Sequence, residues 1–370
     1  MKRIVIVAGI LGASLSAAPA RPARNVVLLL ADAAGIPTIN AASRFGYNEP
    51  RKLFVQHMPF IGLSETSTAS QWVTDSAAGM TAIVTGTRTH NGVLAQGPDA
   101  VRGKRDGAPL KTLLDYAEEH GLSTGLITND SVAGATPAAL YARANDRSRY
   151  GEIVLQAFQV RSGDGLDVLI GPSRAERAAV AATGQNLEAV ATRAGRPLYE
   201  SLSAVPADAS RAFVLTDDDS FDLGAAVDLA VRILSNNPKG FFLMVESDAH
   251  TDRPEQGLRH LVAFDRIIEG LAARLSGDTL LLFTADHSFD LRIHDGEAGH
   301  AVLEGLDPAS PRANPTLRLP NLRVDDTHTG EEVLVAAQGP GAERVHGYLA
   351  NTDLFRIMLS AWGWDQPPAP

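Results

Sequence analysis

The sequence carries several short segments whose side chains could bind metal ions or attack an electrophilic centre. In residues 73–82 a carboxylate, Asp75, stands beside a hydroxyl, Ser76, and small residues follow. Small residues permit a close helix start, whose amide groups and dipole attract a phosphate. Ser76 is therefore a candidate nucleophile, and a plain helix cap at Asp75 or Ser76 is compatible with that role. The other segments centre on Asp32, Thr136, residues 246–252, Asp286 with His287, and His328.

Two of these segments place ligands directly after apolar runs. Asp32 follows residues 26–31, where a buried strand would open into a loop. A buried carboxylate without a partner is costly, so Asp32 is either a helix cap or a metal ligand. Asp286 and His287 follow residues 279–284, and a turn there would let both side chains converge on one ion. A carboxylate and a neutral imidazole are ordinary zinc ligands.

The densest group of acidic and imidazole side chains lies in residues 246–252, directly after the apolar residues 241–245. In an extended chain Glu246, Asp248 and His250 would lie on one face. A solvated acidic turn is the alternative explanation, and the ligands further along the sequence argue against it.

In this order the segments resemble the alkaline phosphatase family, from Asn25 to about Met358. The resemblance implies a phosphoserine intermediate at Ser76, because zinc coordination lowers the pKa of a serine hydroxyl and an alkoxide attacks phosphorus. It also implies two zinc ions and a third site for magnesium. The metal site that it implies is built from Asp32, Asp75, Ser76, Thr136, Glu246, Asp248, His250, Asp286, His287 and His328, with Asp252 as a contender.

Arg147 stands eleven residues after Thr136, as the family's phosphate-binding arginine follows its magnesium-ligand threonine. A planar guanidinium donates two parallel hydrogen bonds to two phosphoryl oxygens, and it stays charged at alkaline pH. The alternative is a surface arginine. The resemblance makes Arg147 a phosphate-binding residue and favours a dianionic monoester as the substrate.

The sequence departs from the family pattern at two places. Gly134 stands where the family usually has Asp or His near the third metal, which leaves the identity of that metal open. The segment that contains Glu246 and His250 is shorter than the family's, so its carboxylates can be matched in more than one way. Asp248 is favoured for zinc and Glu246 for magnesium by its strand-end position, while Asp252 stays a contender.

Composition limits the class of protein. The 370 residues are 45% hydrophobic, which suffices for a large core, and the formal net charge of −10 disfavours nucleic-acid binding. The sequence contains no cysteine, so any metal must be held by oxygen and imidazole groups. Residues 1–18 predict a secretory signal, whose apolar run is too short to span a bilayer. We therefore expect a mature chain without a membrane span, in the periplasm or the exterior of a bacterium.

Short apolar runs at residues 26–31, 124–128, 168–170, 241–245 and 279–284 predict buried strands of a largely parallel sheet. Residues 111–120 and 225–234 predict amphipathic helices between them. The expected fold is an α/β three-layer sandwich with helices on both faces of the sheet. One catalytic domain over residues 25–362 is expected, with inserted rims near residues 95–109 and 291–326.

The sequence thus predicts a secreted, metal-dependent phosphomonoesterase that hydrolyses small-molecule phosphate monoesters. A phosphodiesterase or sulfatase of the same superfamily is the alternative among enzymes. A metal-binding secreted protein without turnover is the alternative outside enzymes, because the shortened segment at residues 246–252 could have lost a zinc site. The physiological substrate, the pH optimum and the oligomeric state, including a homodimer, are left open.

Overall fold

The computed structural model describes residues 21–217, 221–275 and 277–364 of the protein. The predicted signal, residues 1–18, lies outside the described residues. The strands are β1 (Asn25–Asp32), β2 (Phe60–Ser64), β3 (Ser123–Thr128), β4 (Val168–Pro172), β5 (Leu198–Tyr199), β6 (Ala212–Thr216), β7 (Phe241–Asp248), β8 (Thr279–Thr284), β9 (Ser288–Ile293), β10 (Thr316–Arg318), β11 (Leu322–Thr329), β12 (Val333–Gln338) and β13 (Gly347–Leu349). The α-helices are α1 (Ile36–Tyr47), α2 (Ser76–Thr85), α3 (Leu113–Glu119), α4 (Ala135–Tyr141), α5 (Tyr150–Gln156), α6 (Arg174–Ala182), α7 (Leu187–Arg193), α8 (Leu223–Leu234), α9 (Pro254–Arg274) and α10 (Asp353–Ala361).

Ten of these strands form one central sheet in the order β13-β2-β12-β8-β1-β7-β3-β4-β6-β5. Neighbouring strands from β8 to β5 pair in parallel, and β12 runs opposite to β2 and β8. β1 and β7 lie at the centre, with all eight residues of β1 buried. Central parallel strands are covered on both faces and read as continuous apolar runs, which is the pattern that predicted them.

Alternating side chains of β1 enter two separate cores. Val26, Leu28 and Leu30 pack with helices α2 to α7 and α10 on one face of the sheet. Val27, Leu29 and Ala31 pack with helices α1, α8 and α9 on the other face. Successive side chains of a strand point to opposite faces of the sheet, so β1 contributes to the core on each face. The predicted three-layer α/β sandwich with a largely parallel sheet is therefore confirmed.

The five predicted strands correspond to β1, β3, β4, β7 and β8, and the two predicted helices to α3 and α8. Helix α3 begins two residues later than predicted, because the Thr112 side chain caps it by accepting from the N–H of Asp115. Residues 95–109 form a loop with isolated bridges at Gln96 with Pro109 and at Val101 with Arg105. Residues 291–326 contribute to a small antiparallel sheet of β10, β11 and β9.

Across the described residues, we find no helix that combines the length and the apolar character needed to cross a membrane.

Candidate metal and phosphate site

The candidate residues meet at the carboxyl ends of the central strands. β1 and β7 pair in parallel so that Asp32 is the register partner of Asp248. β3 pairs with β7 on its other side, where Thr128 is the register partner of Glu246. Because parallel strands end at the same edge of a sheet, residues more than 200 positions apart in the sequence become neighbours.

Helix α2 presents Ser76 as its first residue. The Asp75 side chain caps the helix, its Oδ1 accepting from the N–H of Ala78 at 3.1 Å. A Cβ on Gly79 would stand 2.7 Å from the carbonyl oxygen of Asp286, so only glycine allows the helix to approach this turn so closely. Ser76 Oγ consequently lies 3.2 Å from Nε2 of His287.

Two groups of side chains could each hold a metal ion. Asp32, Asp286 and His287 form one group, and His250, His287 and His328 form the other, with ligand atoms within 4.8 Å of one another in each. Asp32 Oδ1 lies 3.3 Å from His287 Nε2, and the rings of His287 and His328 are 3.9 Å apart at their centroids. The structure thus brings Asp32, Asp286, His287, His250 and His328 together, and their role as metal ligands stays a prediction.

Several buried oxygens in this site have no hydrogen-bond donor among the described residues: Asp32 Oδ1, Asp286 Oδ2 and Glu246 Oε2. Burial raises the pKa of all three carboxyls. Orphaned buried carboxylate oxygens are rare, because desolvating them without compensation is costly. A set of oxygen and imidazole donors with unfilled acceptor capacity fits divalent cations.

The imidazoles respond to the same acidic surroundings in opposite ways. Burial lowers the pKa of His250, but the charge of Asp32 and the contact with Asp248 outweigh burial and raise that pKa to about 10. Burial lowers the pKa of His287 to about 4, so its ring stays neutral and retains a lone pair. The carboxylates around His250 thus favour its protonated form when no cation is bound, so a metal ion bound by this imidazole would displace that proton. His287 is already in the neutral form that a metal ligand requires.

Asp248 and Glu246 take different positions. Asp248 Oδ1 lies 2.8 Å from His250 Nδ1, on the imidazole side of the site. Burial raises the pKa of Glu246, and hydrogen bonding with the Thr128 and Thr136 side chains lowers it by a smaller amount. The Thr136 hydroxyl also lies 3.4 Å from Asp32 Oδ2, so Asp32, Thr136 and Glu246 form a separate oxygen-rich corner.

Arg147 and Asp75 form an ion pair beside Ser76. Arg147 Nη1 donates to Asp75 Oδ2 at 3.1 Å, and the Arg147 backbone is held by the carbonyl oxygen of Gly92. Both Asp75 oxygens are thereby engaged, one with the helix cap and one with arginine. These contacts let Asp75 position both the start of α2 and Arg147, and the metal-ligand role expected from the sequence stays a prediction.

Asp252 lies outside the two ligand groups. Its carboxylate pairs with Arg312 at 2.9 Å, and its carbonyl oxygen accepts from the N–H of Ala313. The chain turns after β7 and directs Asp252 toward the segment of residues 291–326. We therefore leave Asp252 out of the proposed ligand set.

Two asparagines shape the site without a sequence motif to mark them. Asn129 Oδ1 accepts from the N–H of Asp248 at 2.7 Å. Asn91 Oδ1 accepts from the N–H of Asp75 at 3.0 Å, and its Nδ2 donates to the carbonyl oxygen of Val73. Each holds the backbone next to a candidate ligand or the candidate nucleophile, and in the sequence each is only an ordinary loop asparagine.

Fold and site together define an α/β protein with a candidate serine nucleophile beside a cluster of metal-type ligands. Comparison with known proteins leads to the same class. The family model described as Alkaline phosphatase matches residues 23–174 and 206–304. The streptomycin-6-phosphate phosphatase of Streptomyces griseus is 30% identical over 414 residues, covering 92% of this chain and 91% of that protein. The alkaline phosphatase of Gadus morhua is 26% identical, covering 88% of each chain.

Solved structures share the fold. The alkaline phosphatase of Thermus thermophilus superposes with a TM-score of 0.77 at 23% identity, covering 98% of this chain and 96% of that one. The alkaline phosphatase of the Antarctic bacterium TAB5 gives a TM-score of 0.75 at 23% identity, covering 94% and 100%. The chain belongs to the alkaline phosphatase family, as its sequence motifs indicated. It is a phosphatase of that superfamily, which removes the non-catalytic alternative.

Proposed function

We propose that the protein is a secreted, metal-dependent phosphomonoesterase that forms a phosphoserine at Ser76. The observation that carries the proposal is the position of the Ser76 hydroxyl, 3.2 Å from His287 within a cluster of orphaned carboxylate oxygens. A serine in a plain helix cap would not need these neighbours. The residues with the required chemistry come from the carboxyl ends of β1, β7 and β8, from the start of α2 and, for His328, from β11 of the small sheet.

The donor set fits three divalent cations. Asp32, Asp286 and His287 would hold one zinc ion together with Ser76, and Asp248, His250 and His328 would hold the other. Asp32, Thr136 and Glu246 offer only oxygen, which suits magnesium. Variants of the TAB5 enzyme that were solved with magnesium bound support a magnesium site in this fold. When bound, such cations lower the pKa of a coordinated hydroxyl and neutralise charge on phosphoryl oxygens.

The protein's own groups bind and orient the phosphoryl group. The first amides of α2 have no partners within the helix, and together with the helix dipole they favour an anion beside Ser76. Arg147 adds a guanidinium whose direction is set by Asp75, which leaves further N–H groups for two phosphoryl oxygens. Ser76 then attacks phosphorus, the alcohol leaves, and water hydrolyses the phosphoserine in a second step.

Arg147 favours a monoester over the alternatives. A monoester dianion offers two charged non-bridging oxygens to a bidentate guanidinium, whereas a phosphodiester or a sulfate monoester carries a single charge. Phosphodiesterase and sulfatase activity remain the alternatives within the superfamily.

The proposed location, in the periplasm or outside the cell, is supported by the signal pattern of residues 1–18. Amino-terminal sequencing of the protein after export from a bacterial host tests this part. We expect cleavage near residue 18, and an intact Met1 on exported protein would contradict it.

A substrate panel tests the activity. The purified protein, loaded with zinc and magnesium, is assayed with an aryl phosphate, a bis-aryl phosphate and an aryl sulfate that share one leaving group. We expect the monoester to have the highest kcat/KM, and Ser76→Ala to abolish its turnover while the fold persists. A preference for the diester or the sulfate would overturn the monoester assignment.

A further inference from the structure

The oxygen-rich corner of the site contains a buried carboxylate that protein donors satisfy only in part. Glu246 is 1% exposed, and its Oε2 has no hydrogen-bond donor among the described residues. The Thr136 hydroxyl donates to Asp32 Oδ2 at 3.4 Å in the same corner. The neighbouring Asp32 carboxylate is also buried, and its Oδ1 likewise lacks a donor among the described residues. A cation at this corner would compensate both buried carboxylates.

Asp130 reaches this corner from the loop that follows β3. Its backbone N–H donates to Thr128 Oγ1 at 2.9 Å, which ties the start of the loop to the end of β3. Thr128 is the register partner of Glu246 on β7. Its Oδ2 lies 3.3 Å from the point where a Cβ on Gly134 would stand. The carboxylate of Asp130 therefore occupies the space that a side chain at position 134 would take.

The loop geometry explains why residue 134 is glycine here. The N–H of Gly134 donates to the carbonyl oxygen of Ser131 at 2.8 Å, and this tight turn precedes α4. A Cβ on residue 134 would stand only 2.8 Å from the same carbonyl oxygen. The turn excludes a side chain at position 134, so any acidic group over this corner must come from another residue.

Asp130 is exposed, unlike Asp32 and Glu246. Among the described residues its carboxylate has no lysine, arginine or histidine nitrogen within ion-pair distance. It thus stands between buried oxygen ligands on one side and water on the other. Magnesium keeps several waters when protein carboxylates bind it, so an outer carboxylate that faces solvent suits it.

We propose that Asp130 supplies the outer carboxylate of the third cation site formed by Asp32, Thr136 and Glu246, in the place left open by Gly134. The inference rests on the proposed function for the presence of the ion, and it adds the residue that completes its site. Carboxylates around a metal orient the ligands or the bound waters, and losing one typically lowers metal affinity about 10- to 100-fold.

The experiment compares Asp130→Asn with wild type and with Asp217→Asn. Asp217 lines the same acidic depression as Asp130 and loses the same charge, but its carboxylate faces Arg177 at 3.9 Å. Each zinc-loaded protein is titrated with magnesium, and thermal midpoint and bound metal content are measured. Glu246→Gln serves as the control in which the third cation site itself is weakened. Circular dichroism checks the fold of each protein.

We expect Asp130→Asn to keep its zinc and to need about tenfold more magnesium for half of the thermal stabilisation, whereas Asp217→Asn matches wild type. An unchanged magnesium midpoint in Asp130→Asn would overturn the inference and leave the phosphatase proposal intact. An equal shift in both variants would also overturn it, since charge alone would then explain the effect. A wild-type protein that binds zinc but no magnesium would overturn the third site itself.

Discussion

Two groups of buried carboxylates in this protein are built in opposite ways. At the carboxyl edge of the sheet, Asp32, Glu246 and Asp286 each keep an oxygen without a donor among the described residues. At the other end of the same sheet, Glu118 accepts from the Thr124 hydroxyl and from the N–H of Gly165. Asp167 beside it accepts from the N–H of Thr124 and from Arg211.

The difference separates a structural carboxylate from a ligand. Protein donors fill the acceptor capacity of the Glu118 group, so that group requires nothing from outside the chain. The Asp32 group leaves that capacity open and surrounds it with imidazoles. Burial raises carboxyl pKa values in both groups, so the unfilled acceptor atoms, and not the pKa values, distinguish the two groups. The missing donors, more than the acidic residues themselves, indicate where cations bind.

The largest effect on metal content and activity is expected when the Asp32 group loses Asp32 itself. Asp32 contacts both His287 and the Thr136 hydroxyl, so Asp32→Asn should remove metal from more than one position and lower kcat/KM more than about a thousandfold. Metal content and turnover of the purified variant are the measurements. Full zinc content with near-normal turnover would show that the orphaned oxygen does not mark a ligand.

The second prediction concerns zinc and uses two neighbouring side chains. His250→Ala should lose zinc and activity together, because His250 stands in the imidazole group with His287 and His328. Asp252→Asn should retain its zinc, because Asp252 pairs with Arg312. The expected loss in His250→Ala is about a hundredfold or more in zinc affinity. Loss of zinc in Asp252→Asn and retention in His250→Ala would reverse the assignment.

The third prediction concerns substrate charge. Arg147→Ala should lower kcat/KM for an aryl phosphate about a hundredfold, the effect of two charge-assisted hydrogen bonds worth about 3 kcal/mol together. The loss for the matching phosphodiester should be smaller, because it offers fewer charged oxygens. Parallel assays of both esters with one leaving group measure this, and equal losses would contradict the bidentate role.

The smallest effect is expected in the Glu118 group, and it concerns the stability of the fold rather than activity. Burial raises the pKa of Glu118 to about 7 from 4.5. The folded protein thus binds this proton more tightly than the unfolded chain, so the contribution of Glu118 to stability falls as pH rises from about 5 to 8. Glu118→Gln removes this titration, and its stability relative to wild type should rise by up to about 3 kcal/mol over that range.

Urea unfolding of both proteins at the two pH values, with constant metal, measures the difference, since the metal contribution cancels between variant and wild type. Glu152→Gln, at an exposed position, is the control and should show no such change. A pH-independent difference between Glu118→Gln and wild type would contradict the raised pKa.

The sequence predicts the centre of the fold well and its margins poorly. β1, β7 and β8 are continuous apolar runs because both faces of each strand are covered, and such runs are visible without any knowledge of neighbours. β2 and β13 lie at the edge of the sheet, are short and carry exposed residues, so neither has a distinct pattern. The place of β2 depends on its pairing with β12, and that of β13 on its pairing with β2, and no local signal specifies either pairing.

The site divides in a similar way. Ser76, Asp286 and His287 stand in motifs whose chemistry can be read from adjacent residue types. Asn129 follows β3 and binds the backbone N–H of Asp248 in β7, over a separation of 119 residues. The role proposed for Asp130 depends on the shape of the same loop. Such roles follow from strand register and loop shape, which become visible only when the chain is folded. The ion pair of Asp75 with Arg147 is likewise visible only in the folded chain, and the predicted role of Asp75 as a metal ligand stays a prediction.

The central claim is that Ser76 carries the phosphoryl group during turnover. The most direct test is to mix the zinc- and magnesium-loaded protein with an aryl phosphate, quench in acid within the first turnovers and locate the bound phosphate by peptide mass spectrometry. We expect one phosphoryl group on the peptide that contains Ser76, and none in Ser76→Ala. Phosphate on another residue, or phosphate retained in Ser76→Ala, would contradict the account.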